Sequence, residues 1–459
     1  MTQAAFYRQF IVTAVGVLGL HGAHAENLAD IYATAQLQDP TIKAARANFE
    51  ARHEIVYQAR GVVLPQIRLS GDATRSKIDS DSSDYEVTIE GYSYTASLEQ
   101  AVFNLQAWYG YQQAEAIDAQ AAAELSAAEQ DLVLRVASAY FNVLRAAANL
   151  RSAQAEEAAI KRQLEQTEQR FEVGLTAITD VHEAQAAYDL TVVVRIQLEN
   201  QLEIAFNALE SITGERYEQL SGLSPSYPVV PAEPAAREPW VNAALESNFS
   251  LLSLTAAVEA AERNVSVQKS VYYPTVSLFA QYQREYTDDA PSLVVGGNTF
   301  QLQNTDQDTA TIGLRLEVPL FSGGLNASRV RQAASEFDAA RFNLDRVRLD
   351  LVQQTRSLFS LVMTDVERVR ARRQALVSAQ SALKATEVGY EVGTRNVVDL
   401  LQAQRGLYGT QRDLANARYD YVIHMLQLKQ AAGRLGPDDV EGLNTWLRDA
   451  DPVTDPPPT

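Results

Sequence analysis

Apolar and polar residues alternate strictly in four short stretches of this chain and recur every three or four residues almost everywhere else. In the first stretch Ile67, Leu69, Gly71 and Ala73 alternate with Gln66, Arg68, Ser70 and Asp72. In the second, Tyr92, Tyr94, Ala96 and Leu98 alternate with Ser93, Thr95, Ser97 and Glu99. The third sets Val276, Leu278, Ala280 and Tyr282 against Thr275, Ser277, Phe279 and Gln281. The fourth sets Ile312, Leu314, Leu316 and Val318 against Thr311, Gly313, Arg315 and Glu317. A period of two with one apolar face predicts amphipathic β-strands, here each about ten residues long and arranged as two hairpins. Polar loops over 77–91 and 287–309 join them. Strands of that length fit a transmembrane β-barrel, with Tyr92, Tyr94, Tyr282 and Tyr286 as an interfacial girdle. A soluble sandwich sheet alternates in the same way, so both readings stay open on the strands alone.

The remainder predicts helix. No proline falls between Pro65 and Pro225 or between Pro319 and Pro437, and no glycine between Leu325 and Val388. Residues 106–172 read as one unbroken helix, about 100 Å long at 1.5 Å per residue. A helix of that length cannot bury itself in a compact domain and implies a coiled coil or a tube. Gly174 and Gly393 stand where a left-handed residue closes a helix. The chain then returns with apolar residues such as Ile178, Val181, Ala184 and Tyr188 at coiled-coil spacing.

The pattern is written twice. Leu64-Pro65 returns as Tyr273-Pro274, Phe103 as Phe321, and Phe171-Glu172-Val173-Gly174 as Tyr390-Glu391-Val392-Gly393. The copies differ in length almost entirely within one hairpin loop, which predicts two copies of one supersecondary unit. Five prolines between Pro225 and Pro239 mark the crossing between copies. The tail from Asp449, ending Asp455-Pro456-Pro457-Pro458-Thr459, reads as disordered.

Composition narrows the class. Arg8, the apolar run Phe10 to Leu20 and Ala23-His24-Ala25 read as an export leader over residues 1–25. No other run is apolar and long enough for a membrane-spanning helix. The absence of cysteine removes disulfides, thiol chemistry and a lipid on a mature N-terminal cysteine. A net charge of −19 argues against a nucleic-acid partner and suits a lumen for neutral or cationic solutes. Beyond the leader the histidines are His53, His182 and His424, without metal-ligand spacing. Neither a phosphate loop nor a nucleophile motif is found, so the chain does not read as an enzyme, and neither metal nor cofactor is expected.

Four strands cannot close a membrane barrel, which needs about eight or more. An open edge in lipid leaves backbone groups unsatisfied. Strands that span a membrane therefore require further copies of the chain. Two copies would give a ring filled by its own side chains, and a larger ring leaves an aqueous lumen.

These residues resemble the TolC family of outer-membrane factors over nearly the whole mature chain. The resemblance lies in Glu26-Asn27-Leu28, Ala139-Tyr140-Phe141-Asn142-Val143-Leu144, Gln169-Arg170-Phe171 through Gly174, Ala177-Ile178-Thr179-Asp180-Val181, Val392-Gly393-Thr394-Arg395 and Leu414-Ala415-Asn416-Ala417-Arg418-Tyr419. It implies a mainly α fold with a transmembrane β part. A homotrimer would form a 12-stranded β-barrel in the outer-membrane lipid of a Gram-negative bacterium, continuous with a long α-helical barrel. A periplasmic adaptor would join that tunnel to an inner-membrane RND or ABC transporter, for efflux or type I secretion. The lack of cysteine places the chain with the non-lipidated branch. The implied organisation is an N-terminal helix over 26–64, a first β-hairpin over 65–104 and a first helical hairpin over 105–213. A linker and equatorial helix over 214–273 leads to the second β-hairpin over 274–321 and helical hairpin over 322–434. An equatorial or disordered tail covers 435–459.

By the same resemblance Thr179, Asp180, Tyr390, Arg395, Arg418 and Gln163 hold a periplasmic gate, with Thr179 pairing Arg395 and Asp180 pairing Tyr390. A few polar links of about 0.5–3 kcal/mol each can bias a two-state element without locking it. Asp180 and Asp399 also read as first-turn acids that favour the helix dipole. Asp399 would form a carboxylate ring around the threefold axis. The family's best-known pattern has a second aspartate where this chain has Gln402, so a weaker block by multivalent cations is expected. Gly174, Leu175, Gly393 and Thr394 would dock the adaptor. A soluble secreted coiled-coil protein with a structural or adhesive role is the alternative. A simple diffusion porin has no use for so long a helix.

Overall fold

The computed structural model describes residues 25–80, 85–288, 292–295, 298–301 and 305–454. The export leader, but for Ala25, and the final five residues lie outside this range.

The duplication reaches further back than the sequence suggests. Helices α1 (Leu28–Gln38) and α2 (Pro40–Val63) meet at the single residue Asp39. In the second copy α5 (Arg237–Ser247) and α6 (Phe249–Ser270) meet at Asn248. Both joint residues cap the following helix: the Asp39 carboxylate accepts from the Thr41 N–H, and the Asn248 carbonyl from that of Leu251. Where one N-terminal helix is expected over 26–64 there are two, because Pro40 starts a helix well but cannot continue one. One equatorial helix is likewise expected over 214–273, and the structure has α5 and α6.

Strands β1 (Gln66–Ser80) and β2 (Tyr85–Phe103) follow in the first copy, and β4 (Thr275–Asp288) and β7 (Thr305–Glu317) in the second. Before β4 the chain makes β3 (Gln219–Leu223). The short strands β5 (Ser292–Val295) and β6 (Asn298–Gln301) form their own hairpin between β4 and β7. The main sheet runs β1-β2-β4-β7, antiparallel throughout. Its strands have 15, 19, 14 and 13 residues, longer than the apolar pattern alone implies. The ladder continues through much of what reads as polar loop, because its hydrogen bonds are made by backbone groups that every non-proline residue carries.

In register, Ile67, Leu98, Ala280 and Ile312 form one row across the sheet. The apolar face stands open: Ile67 is 79% exposed, Ile312 76% and Leu314 70%. On the opposite face one aromatic breaks the polar pattern. Phe279 lies against Gly313, where a Cβ would come within 2.9 Å of its ring, and the Arg315 guanidinium sits 4.9 Å above the ring centroid. Strands β1 and β7 form the two edges and have no further partner within the chain among the described residues.

Helix α3 (Leu105–Glu172) starts two residues after β2 and runs 68 residues; α7 (Leu325–Glu391) leaves the second hairpin and runs 67. Each is answered by a helix about half as long, α4 (Ile178–Thr213) and α8 (Val397–Ala431). Helix α3 packs on α2, α6, α4 and α8, and α7 packs on α6, α5 and α8. No helix among the described residues is apolar and long enough to cross a membrane.

The main core gathers around the middle of α3. Tyr140 and Phe141 are fully buried with Leu28, Leu209, Leu220 and Leu428, and the Tyr140 hydroxyl donates to the Ser221 carbonyl at 2.6 Å. The motif Ala139 to Leu144 is therefore a packing element. Helix α9 (Pro437–Asn444) and strand β8 (Leu447–Thr454) close this region, with β8 paired to β3. The tail read as disordered from Asp449 is ordered to Thr454, because β3 offers its backbone a ladder.

Candidate functional site at the two helical tips

Both long helices end in the same turn. At the first tip Gly174 takes φ +75°; its N–H donates to the Phe171 carbonyl and that of Leu175 to the Arg170 carbonyl. At the second, Gly393 takes φ +78°, its N–H donating to the Tyr390 carbonyl and that of Thr394 to the Gly389 carbonyl. These paired bonds form a Schellman motif, which satisfies the last carbonyls of the helix and requires a left-handed residue. No atom lies within 4 Å of where a Cβ would sit on either glycine, so both face open space. Leu175 is 76% exposed beside Val173, and Thr394 and Val392 are exposed at the matching places.

The chain re-enters the bundle differently at the two tips. Helix α4 starts after Ala177 without a side-chain cap, and the Thr176 hydroxyl donates to the Asp180 carboxylate. Helix α8 starts with a full capping box. The Asn396 side chain accepts from the Asp399 N–H at 2.8 Å, and the Asp399 carboxylate accepts from the Asn396 N–H at 3.5 Å. Arg395 lies 3.7 Å from the Asp399 carboxylate, an exposed i,i+4 pair. Gly389 makes room for it: a Cβ there would stand 2.8 Å from the Arg395 Cγ.

Asp180 and Asp399 are thus both first-turn acids, as the helix dipole favours. Thr179 and Gln402 are exposed. Within one chain neither expected pairing forms. Arg395 goes to Asp399 instead of Thr179, and Tyr390 goes to Arg170 instead of Asp180. The Arg170 guanidinium carbon sits 4.8 Å above the Tyr390 ring centroid. Gln163 is buried, with its amide donating to the Thr167 hydroxyl at 3.3 Å. Arg418 lies away from the tips and donates to the Ser224 carbonyl at 2.6 Å. Burial pushes its guanidinium below the ordinary arginine value.

The two hairpins are held together just behind the tips. Ile160, Leu164, Ala184, Ala187, Val397 and Leu401 form a small apolar cluster, with Tyr390 packed at its margin. Further from the tips Arg412 of α8 donates to the buried Glu156 of α3 at 2.6 Å. A groove of about 700 Å³ runs between the hairpins, lined by Gln163, Gln166, Arg170, Tyr390, Gln404 and Tyr408. Arg170 and Arg412 escape sequence reasoning because their partners are more than two hundred residues away. The one signal in the sequence is that Arg170 sits inside the family-like segment Gln169-Arg170-Phe171.

Known proteins agree with this architecture. The family profile described as outer membrane efflux protein matches twice, over residues 31–215 and 240–434, one match per copy. The chain is 36% identical over 439 residues to the outer membrane protein TolC of Vibrio cholerae, covering 96% of this chain and 98% of that one. To the TolC of Escherichia coli it is 34% identical, over 93% of this chain and 86% of that one. A crystal structure of CusC superposes with a TM-score of 0.75 at 17% identity, covering 94% of this chain and 95% of that one. The soluble coiled-coil reading gives way. With two duplicated halves, an unpartnered apolar sheet face and these relatives, the chain belongs to the outer membrane efflux protein family and is a TolC-family channel of the Gram-negative outer membrane, not an enzyme.

Proposed function

We propose that three copies of the chain close a twelve-stranded barrel in the outer membrane, from which the helices continue as a periplasmic tunnel. The unpartnered edges of β1 and β7 carry this reading. In hydrocarbon their free backbone groups would cost several kcal/mol each, and pairing β1 of one copy with β7 of the next removes that cost. Two copies would give an eight-stranded ring that fills its own interior, so three is the smallest assembly with an aqueous bore. The exposed face of Ile67, Leu69, Ile312 and Leu314 then meets lipid, and Tyr92 stacked on Tyr286 at 4.9 Å belongs to the girdle.

The tips form the gate and the docking surface. Thr179, Asp180, Tyr390 and Arg395 act between neighbouring chains, where each meets partners that its own chain does not supply. Gln163 and Arg418 brace the same helices further up. Gly174, Leu175, Gly393 and Thr394 receive a periplasmic adaptor, and an inner-membrane RND or ABC transporter supplies the energy and selects the cargo. Asp399 supplies one carboxylate per chain to a ring on the axis, with Gln402 neutral one turn deeper.

Two measurements test this. Detergent-purified protein is expected to have the mass of three chains; a stable monomer would refute the closed barrel. In planar bilayers, Gln402→Asp should tighten block by a trivalent cation at least tenfold, because each added carboxylate within about 4 Å contributes on the order of 4 kcal/mol per unit of cation charge at intermediate dielectric. Unchanged block would remove Asp399 and Gln402 from the axis.

A further inference from the structure

We propose that Arg170 is a positioning residue of the gate: by stacking on Tyr390 it ties the first docking turn to the second within each chain. This rests on the reading of Tyr390 as a gate residue.

The argument begins with the backbone. The Arg170 carbonyl accepts from Leu175 in the first terminal turn, and the Tyr390 carbonyl accepts from Gly393 in the second. Each residue is therefore fixed to a turn whose glycine and following residue face open space. In the body of the molecule the two hairpins meet where α8 packs on α3 and α4. At the tips Arg170 reaches across from α3 to α7 and lays its guanidinium over the Tyr390 ring.

Both side chains are half-buried at the edge of the apolar cluster, where a planar, weakly hydrated guanidinium stacks on an aromatic face at little desolvation cost. The stack leaves the Tyr390 hydroxyl free for other links, since among the described residues it has no hydrogen-bond partner within the chain. A displacement of either turn by a bound protein must change this contact, which gives docking a direct route to Tyr390.

The experiment is a double-substitution cycle read as open-to-closed occupancy of single channels in planar bilayers. Losing a partly exposed cation–π contact should shift that ratio about two- to fivefold per chain, and by about tenfold or more if three chains open together. Arg170→Ala is expected to raise open occupancy, and Arg170→Lys, which keeps the charge over the ring, to restore much of the closed state. Tyr390→Phe keeps the ring, so Arg170→Ala should retain its full effect in that background and lose it in Tyr390→Ala. The inference is overturned if Tyr390→Ala opens the channel while Arg170→Ala leaves it unchanged. It is equally overturned if Arg170→Ala acts as strongly in the Tyr390→Ala background as alone. If Tyr390→Ala itself leaves occupancy unchanged, the gate reading falls and this inference with it.

Discussion

The first and second tips share a turn and differ in how the next helix starts. Both helices stop on a left-handed glycine with the same pair of backbone bonds. The first then re-enters through Ala177 with no side-chain cap, and the second through the Asn396 and Asp399 box with Arg395 folded beside it. After duplication the element that reverses the chain was kept, and the flanking residues were free to specialise. The second tip became the better anchored and the more polar of the two.

Substitutions can break this comparison in graded steps. Gly174→Ala and Gly393→Ala should have the largest effect, about 1–2 kcal/mol each from the left-handed backbone alone, because neither added methyl meets a neighbour. Hydrogen exchange should show that loss at the substituted tip only, and equally in both. Asn396→Ala should cost the second tip about 1 kcal/mol, and Ala177→Ser should return part of that to the first. A first tip that gains nothing from a cap would mean its re-entry is not limited by the helix start. Arg395→Ala should change stability least, by about 0.3 kcal/mol or less, since its ion pair is exposed and long. Any larger change in channel occupancy would then report the gate and not the fold.

A further test compares the α1–α2 and α5–α6 joints. Burial alone would raise the Asp39 carboxyl, but hydrogen bonds from Arg135 and Thr41 hold it below the ordinary carboxylate value. Its contribution is therefore present above the unfolded value near 4 and is lost as pH falls through the lower folded value. Acid should loosen the α1–α2 joint and leave the Asn248 joint untouched, and Asp39→Asn should abolish the difference. At neutral pH, by contrast, neither joint responds to a small change.

Much of this molecule was legible in its sequence because its signals are local. Strand alternation, helix length and the two terminal glycines each depend on neighbouring residues, and each appears in the structure where the pattern implies. What was not legible depends on distant partners. The ladder of β8 on β3 turns a proline-bearing acidic tail into a strand. The α1 and α5 copies are too short to show a repeat against the long helices. Resemblance supplied the proposed gate residues, yet within a single chain Arg395 pairs with Asp399 and Tyr390 with Arg170. In the proposed trimer the neighbouring chains would supply the missing partners.

The long helices also have a mechanical consequence. Asn104 alone separates β2 from α3, so the pore wall and the far tip are one continuous strut. Torsion applied at the tip meets no break in the helix along α3. In the second copy the same junction runs from Val318 to Gly324 and closes on two left-handed glycines, so the two copies differ in stiffness where sheet meets helix.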